Sequence, residues 1–105
     1  MTEIKFETGG GNPDAFNLYL DGKKIGEMIL EIADGNLTVF HTEVDTDQEN
    51  KGYAGQLLAA MVRYAEENHL KVVPMCPYVH AQFQRHPEQY ADIWNNYGWL
   101  MSRII

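Results

Sequence analysis

Apolar and polar residues alternate with a period of two through the first 44 positions, and the rhythm then changes. Glu3–Glu7 alternates briefly. Phe16, Leu18 and Leu20 then alternate with Asn17 and Tyr19, and Met28, Leu30 and Ile32 alternate with Glu27 and Glu31. Leu37–Val44, LTVFHTEV, is a further β-rich run. A period of two turns one side of a strand toward a core and the other toward water. Asp21-Gly22 and Asp34-Gly35 separate these runs, and Asp-Gly in that place predicts tight hairpins because such turns need positive φ. Thr8–Asp14, TGGGNPD, is polar and rich in Gly and Pro, and predicts an irregular loop. The first part of the chain therefore reads as an antiparallel meander.

After Asn50 the period becomes about 3.6, with Leu57, Leu58, Met61, Val62 and Ala65 on one side of a helix that ends near His69. Lys71–Cys76, KVVPMC, reads as a short buried strand. A strand, a helix and a strand of these lengths imply a crossover to a parallel partner, so the sheet is mixed. Val79 and Phe83 predict a short helix that stops before Pro87, because the residue preceding proline avoids helical geometry. Pro87 suits the first turn of another helix, with Tyr90, Ile93, Trp94 and Tyr97 as its buried stripe. The expected fold class is α+β, a mixed sheet made of an antiparallel β-meander and a βαβ crossover with C-terminal helices, in one domain spanning residues 1–105.

Composition narrows the function classes. With 45% hydrophobic and 22% charged residues the chain has the make-up of an ordinary globular domain. A net charge of −7, with eight scattered Lys and Arg, argues against nucleic-acid partners. No apolar run approaches the roughly 20 residues of a membrane span, and the start MTEIKFETGG lacks a signal-peptide layout, so a cytoplasmic location without membrane contact is expected. Cys76 is the one cysteine, which excludes an internal disulfide and a multi-cysteine zinc site. His41, His69, His80 and His86 follow no zinc-ligand spacing, and no metal site is expected. The apolar tail Leu100–Ile105 suits packing on its own sheet or on a second subunit, which leaves a monomer or a weak homodimer.

The segment that carries chemistry is Glu49–Leu58, ENKGYAGQLL. Glycine costs a helix roughly 1 kcal/mol relative to alanine, yet two stand where this helix starts. A helix N-terminus presents unpaired amides and the positive end of the dipole, which together favour an anion. Gly52 and Ala54 remove bulk there, Gly55 permits close approach, and Lys51 adds positive charge, so the suggested ligand is a phosphate group. The stretch lacks the Gly-Lys-Ser/Thr ending of a triphosphate loop and follows an antiparallel meander, unlike a dinucleotide-binding unit. The pattern by itself also fits glycines that merely shape a turn.

Four stretches in order, His41-Thr42-Glu43-Val44, Gly52-Tyr53-Ala54 leading into Leu57-Leu58, Pro74-Met75-Cys76-Pro77-Tyr78 and Arg85-His86-Pro87-Glu88, resemble the small single-domain branch of the GCN5-related N-acetyltransferase (GNAT) superfamily. The resemblance covers roughly Phe16 to Ile93. The family's phosphate loop, Gln/Arg-x-x-Gly-x-Gly/Ala, falls on Glu49–Ala54, with Glu49 departing from its first position. The resemblance implies acetyl-CoA as cosubstrate and an amine as acceptor. It implies a pyrophosphate on the amides of Lys51, Gly52, Tyr53, Ala54 and Gly55, and a pantetheine arm paired with the edge at Thr42, Glu43 and Val44. The thioester would then lie between Val44 and Cys76.

Candidate catalytic residues follow from that placement. Cys76 stands between Pro74 and Pro77, which remove two backbone donors and imply that the chain leaves the sheet there. It is a candidate acetyl acceptor or, equally, a small buried hydrophobe. In direct transfer Tyr78 is the candidate acid, and His41 or Glu43 the candidate base. His41 and Glu43 share the parity of Leu37 and Val39 in an unbroken alternation, which also fits a hydrogen-bonded histidine and a solvated glutamate. A CoA-binding or sensing module without catalysis is the alternative function, and a purely structural protein a third.

Overall fold

The computed structural model describes residues 1–95. Five strands form one sheet in sequence order, β1 (Thr2–Gly9), β2 (Asn12–Leu20), β3 (Lys23–Ala33), β4 (Asn36–Val44) and β5 (Lys71–Pro74). The pairs from β1 to β4 are antiparallel, and β4 pairs with β5 in parallel. Helix α1 (Tyr53–Glu67) makes the crossover, and α2 (Pro77–Arg85) and α3 (Pro87–Tyr90) follow β5. The mixed sheet, the crossover and the C-terminal helices are those the sequence predicts.

Both Asp-Gly turns form as predicted, with φ of 51° and 86° at Asp21 and Gly22, and 52° and 79° at Asp34 and Gly35. The irregular loop expected over Thr8–Asp14 is corrected, because β1 runs to Gly9 and β2 starts at Asn12. Gly9, Gly10 and Gly11 all take positive φ, so the chain reverses within two residues. Pro13 is tolerated in β2 because the β1–β2 register shifts between Glu7 and Gly9, where the ladder is already interrupted.

One side of the sheet is the core. Phe16, Leu18, Met28, Leu30, Leu37 and Val39 are buried there against Leu57, Leu58, Met61 and Ala65 of α1. Helix α1 ends with His69 in the left-handed region at φ 54°, where the His69 N–H donates to the Glu66 carbonyl and the Leu70 N–H to the Ala65 carbonyl. This pair of bonds satisfies last-turn carbonyls and directs the chain back into β5. On α2, Val79 and Phe83 are buried, and Phe83 stacks on Tyr90 of α3 at 4.4 Å.

Two expectations near the C-terminus change. Strand β5 stops at Pro74 rather than Cys76, since Pro74 has no N–H to extend a ladder and Cys76 becomes the N-cap residue of α2. The helix opened by Pro87 lasts only to Tyr90. Its continuation is drawn to the outer edge of β5, where the Val72 N–H donates to the Ile93 carbonyl and the Asn95 N–H to the Val72 carbonyl. Satisfying a sheet edge outweighs another helical turn here. Tyr97 and the tail Leu100–Ile105 lie outside the described residues.

Candidate acyl-CoA cleft

The β4–β5 ladder pairs Asn36 with Lys71 through Val39 with Pro74 and then ends, while β4 runs on to Val44. The last tie is the Cys76 N–H donating to the Val39 carbonyl at 2.8 Å. Beyond it, β4 from His41 to Val44 is paired with β3 on one side and, among the described residues, with nothing on the other. An open strand edge of this kind accepts an extended ligand by main-chain hydrogen bonds.

A register shift between Ile29 and Leu30 inserts Phe40 as an extra residue in β4. Cross-strand partners share a face, so Val39, opposite Leu30, points to the core, whereas His41, opposite Ile29, points to the outer side. This corrects the unbroken alternation expected through LTVFHTEV. Thr42 and Val44 return to the core side. Gly26, opposite Val44, permits a close approach there, since a Cβ on it would stand 3.1 Å from the Glu43 carbonyl oxygen. A glycine inside an alternating strand was the sequence sign of that approach.

The loop between β4 and α1 ends in two left-handed residues, Asn50 at φ 63° and Gly52 at φ 81°. Gly52 is the N-cap of α1, with no side-chain capping bond and no acidic residue in the first turn. The Gln56 N–H bonds the Gly52 carbonyl, which leaves the amides of Tyr53, Ala54 and Gly55 at the open start of the helix. A Cβ built at Gly55 meets nothing within 4 Å, so the mouth is open. The Lys51 ammonium donates to Gln48 at 3.2 Å on the exposed rim. The mouth and the free edge of β4 are joined by the eight-residue connection Asp45–Gly52, which contains a 3-10 turn over Thr46–Gln48, and the pair suits a ligand with an anionic end and an extended amide-bearing arm.

Cys76 is 2% exposed, and its Sγ lies 3.3 Å from the Thr42 Oγ1 across the cleft. It stands at the N-terminal, positive end of α2, a direction that the sequence left open. Tyr78, half-buried on the first turn of α2, has its phenol pushed up by burial first and then by Tyr90 and Cys76, so it keeps its proton at neutral pH. Thr42 and Cys76 are thus brought together, with Tyr78 two residues further along α2. His41 and Glu43 are not with them; they lie exposed on the outer side, 3.5 Å apart, and with Glu27 form a group whose ligating atoms lie within 4.8 Å of one another. Phe40 and Met75, neither singled out by the sequence, are exposed apolar residues where the ladder ends.

The sequence profile of GCN5-related N-acetyltransferases matches residues 15–93. The chain belongs to this family. Among solved structures, a GCN5-like protein from Staphylococcus aureus is 24% identical, with a TM-score of 0.65 over 89% of this chain and 87% of that one. The Escherichia coli ribosomal-protein-S18-alanine N-acetyltransferase is 17% identical, with a TM-score of 0.63 over 70% of this chain and 66% of that one. A GNAT acetyltransferase from Elizabethkingia anophelis with acetyl-CoA bound is 18% identical, with a TM-score of 0.59 over 70% of this chain and 63% of that one. The GNAT chain thus spans less than two thirds of the length of the last two, and these likenesses bear on its fold. No curated protein matches the chain significantly.

Proposed function

We propose that this GNAT protein is an acetyl-CoA-dependent N-acetyltransferase acting on a primary amine. The observation that carries the reading is the early end of the β4–β5 ladder at Val39, which leaves the edge from Phe40 to Val44 without a strand partner among the described residues and adjoining the open mouth of α1. The amides of Tyr53, Ala54 and Gly55, with Lys51 beside them, suit the pyrophosphate, and the free edge at Thr42, Glu43 and Val44 suits the pantetheine amides. Acetyl-CoA supplies an activated acyl thioester.

Helices α1 and α2 cover the core side, so the amine has its way in from the outer side, where His41 and Glu43 stand exposed. Either takes one proton from the ammonium, directly or through water, to free the nitrogen lone pair. The new carbon–nitrogen bond forms as the carbon–sulfur bond breaks, and the nitrogen's second proton passes to solvent. Tyr78, held protonated, gives its proton to the departing thiolate and regains one from solvent.

This reading is checked by melting the protein with CoA and with acetyl-CoA. At a hundredfold excess over Kd a specific ligand adds about 2.7 kcal/mol, a rise of about 10–20 °C for a domain of this size. No rise with either compound would remove the cleft as a coenzyme site. A non-catalytic CoA-binding module is the second reading, favoured by the separation of His41 and Glu43 from Cys76 and Tyr78; stabilisation by CoA without turnover of any amine would establish it.

Direct transfer is favoured over an acetyl-cysteine route, because the Cys76 sulfur is buried and engaged by Thr42. Cys76→Ala is accordingly expected to keep most of its turnover, and the intact mass of the unsubstituted protein after incubation with acetyl-CoA is expected to be unchanged. An acetyl adduct on Cys76 together with a dead alanine variant would reverse this assignment.

A further inference from the structure

Strand β1 closes the side of the sheet away from the cleft. It is first in the sheet order and, among the described residues, pairs with β2 alone. The Asp21 N–H donates to the Met1 carbonyl, and Met1 falls opposite Asp21 when the β1–β2 register is carried one residue beyond Thr2 and Leu20. Hydrogen-bonded and non-hydrogen-bonded pairs alternate along an antiparallel ladder, so Glu3, Lys5 and Glu7 turn their main chain toward β2. Thr2, Ile4 and Phe6 turn their N–H and C=O groups the other way, along the free edge.

The side chains of β1 decide what a strand laid along that edge must carry. Ile4 and Phe6 are half-buried on the core side, where Phe6 meets Phe16 at 5.0 Å and Tyr64 of α1 at 4.9 Å. Glu3 and Lys5 are exposed on the outer side, 3.8 Å apart. A lone lysine on an edge strand deters pairing, but here a glutamate stands two residues away on each side of Lys5. When two β1 strands pair antiparallel about Ile4, Glu3 of each copy faces Lys5 of the other, Thr2 faces Phe6, and Ile4 faces Ile4. The Glu3–Lys5 pairs are then non-hydrogen-bonded ones, whose side chains come closest. Centring on Lys5 instead sets Lys5 against Lys5 and Glu3 against Glu7. Centring on Phe6 sets Lys5 against Glu7, but Glu7 is held by Tyr19 and Asn17, and the strand is irregular between Glu7 and Gly9.

We propose that two copies of this chain join edge to edge through β1, antiparallel about Ile4, into one continuous sheet. The two-fold axis passes through the Ile4 pair, so the same surface serves both copies. The free main-chain groups of Thr2, Ile4 and Phe6 gain partners, and the half-buried margin of Ile4 and Phe6 is covered by its counterpart. Exposed ion pairs add little energy each, so Glu3 and Lys5 select the register while the main chain and the apolar margin supply the affinity. A net charge of −7 on each copy opposes the association and keeps it weak. The free edge of β4 lies three strands along, so the pairing does not depend on what the cleft binds.

Sedimentation equilibrium from about 10 µM to about 1 mM is expected to show monomer and dimer in exchange. Glu3→Lys and Lys5→Glu are each expected to weaken the dimer about tenfold, because each sets like charges opposite one another at both pairs. Mixed in equal amounts, the two variants are expected to recombine as a heterodimer of the original strength, since opposite charges then meet again. Both positions are exposed, and melting curves check that the variants fold. Glu31→Lys, the same change of charge at an exposed position of β3, is expected to dimerise as the unsubstituted chain does. Hydrogen exchange at the Ile4 and Phe6 amides is expected to slow as concentration rises, while the Glu3 and Lys5 amides, turned toward β2, stay unchanged. A monomer throughout, a dimer untouched by either variant, or variants that do not recombine would each overturn the proposal. So would protection of Ile4 and Phe6 that is independent of concentration, which would put a segment of the same chain on this edge.

Discussion

Gly55→Asp is expected to leave the protein as stable as before, or more so, while weakening coenzyme A binding by about 100-fold. Gly55 is the third residue of α1 after the cap Gly52, and a Cβ there meets nothing within 4 Å. A carboxylate in the first turn of a helix gains about 0.3–1 kcal/mol from the dipole, and replacing a helical glycine adds to this. The same carboxylate stands where a pyrophosphate would lie. At about 5 Å and an effective dielectric of 20 the repulsion is roughly 3 kcal/mol for each unit of phosphate charge, enough for two decades of affinity. Opposite signs for stability and binding separate a ligand effect from misfolding. A variant that melts higher and still binds CoA as before would put the phosphates somewhere other than the mouth of α1.

Phe83→Ala is expected to cost about 3–5 kcal/mol, a fall of roughly 15–30 °C in melting temperature. The Phe83 ring is fully buried, stacks on Tyr90 at 4.4 Å with an interplanar angle of 18°, and meets Trp94 edge-on at 5.6 Å. It therefore ties α2 to α3 and to the segment that pairs with the outer edge of β5. Helix α2 also positions Cys76 at its cap and Tyr78 in its first turn, so catalysis is expected to fall at temperatures where the variant remains folded. Thermal unfolding monitored by circular dichroism, with initial rates taken well below the transition, checks both effects. A loss under about 1 kcal/mol would mean that the site is held without this aromatic cluster.

Much of the cofactor cleft was legible because its parts are local. The sequence Gly-Tyr-Ala-Gly at a change of period reads as a helix start with room for an anion, and Pro74, Cys76 and Pro77 read as a strand that must stop. The faces of His41 and Glu43 were not legible. Counting by twos from Leu37 and Val39 puts both on the core side, and the extra residue Phe40 reverses that. A bulge is a property of two strands together, and neither strand's alternation contains it. The short α3 has the same origin, since what ends it is the edge of β5, some 20 residues away in sequence.

The amino-acid sequence by itself determined the strands of the meander, both Asp-Gly turns, the amphipathic helix α1 and the glycine-lined start of that helix. Each follows from propensity, period and turn chemistry within a few neighbouring residues. Only the tertiary structure decided where β4 parts from β5 and which side of the sheet His41 and Glu43 face. Those outcomes depend on register between strands distant along the chain, and register is settled by which apolar face the assembled sheet can bury.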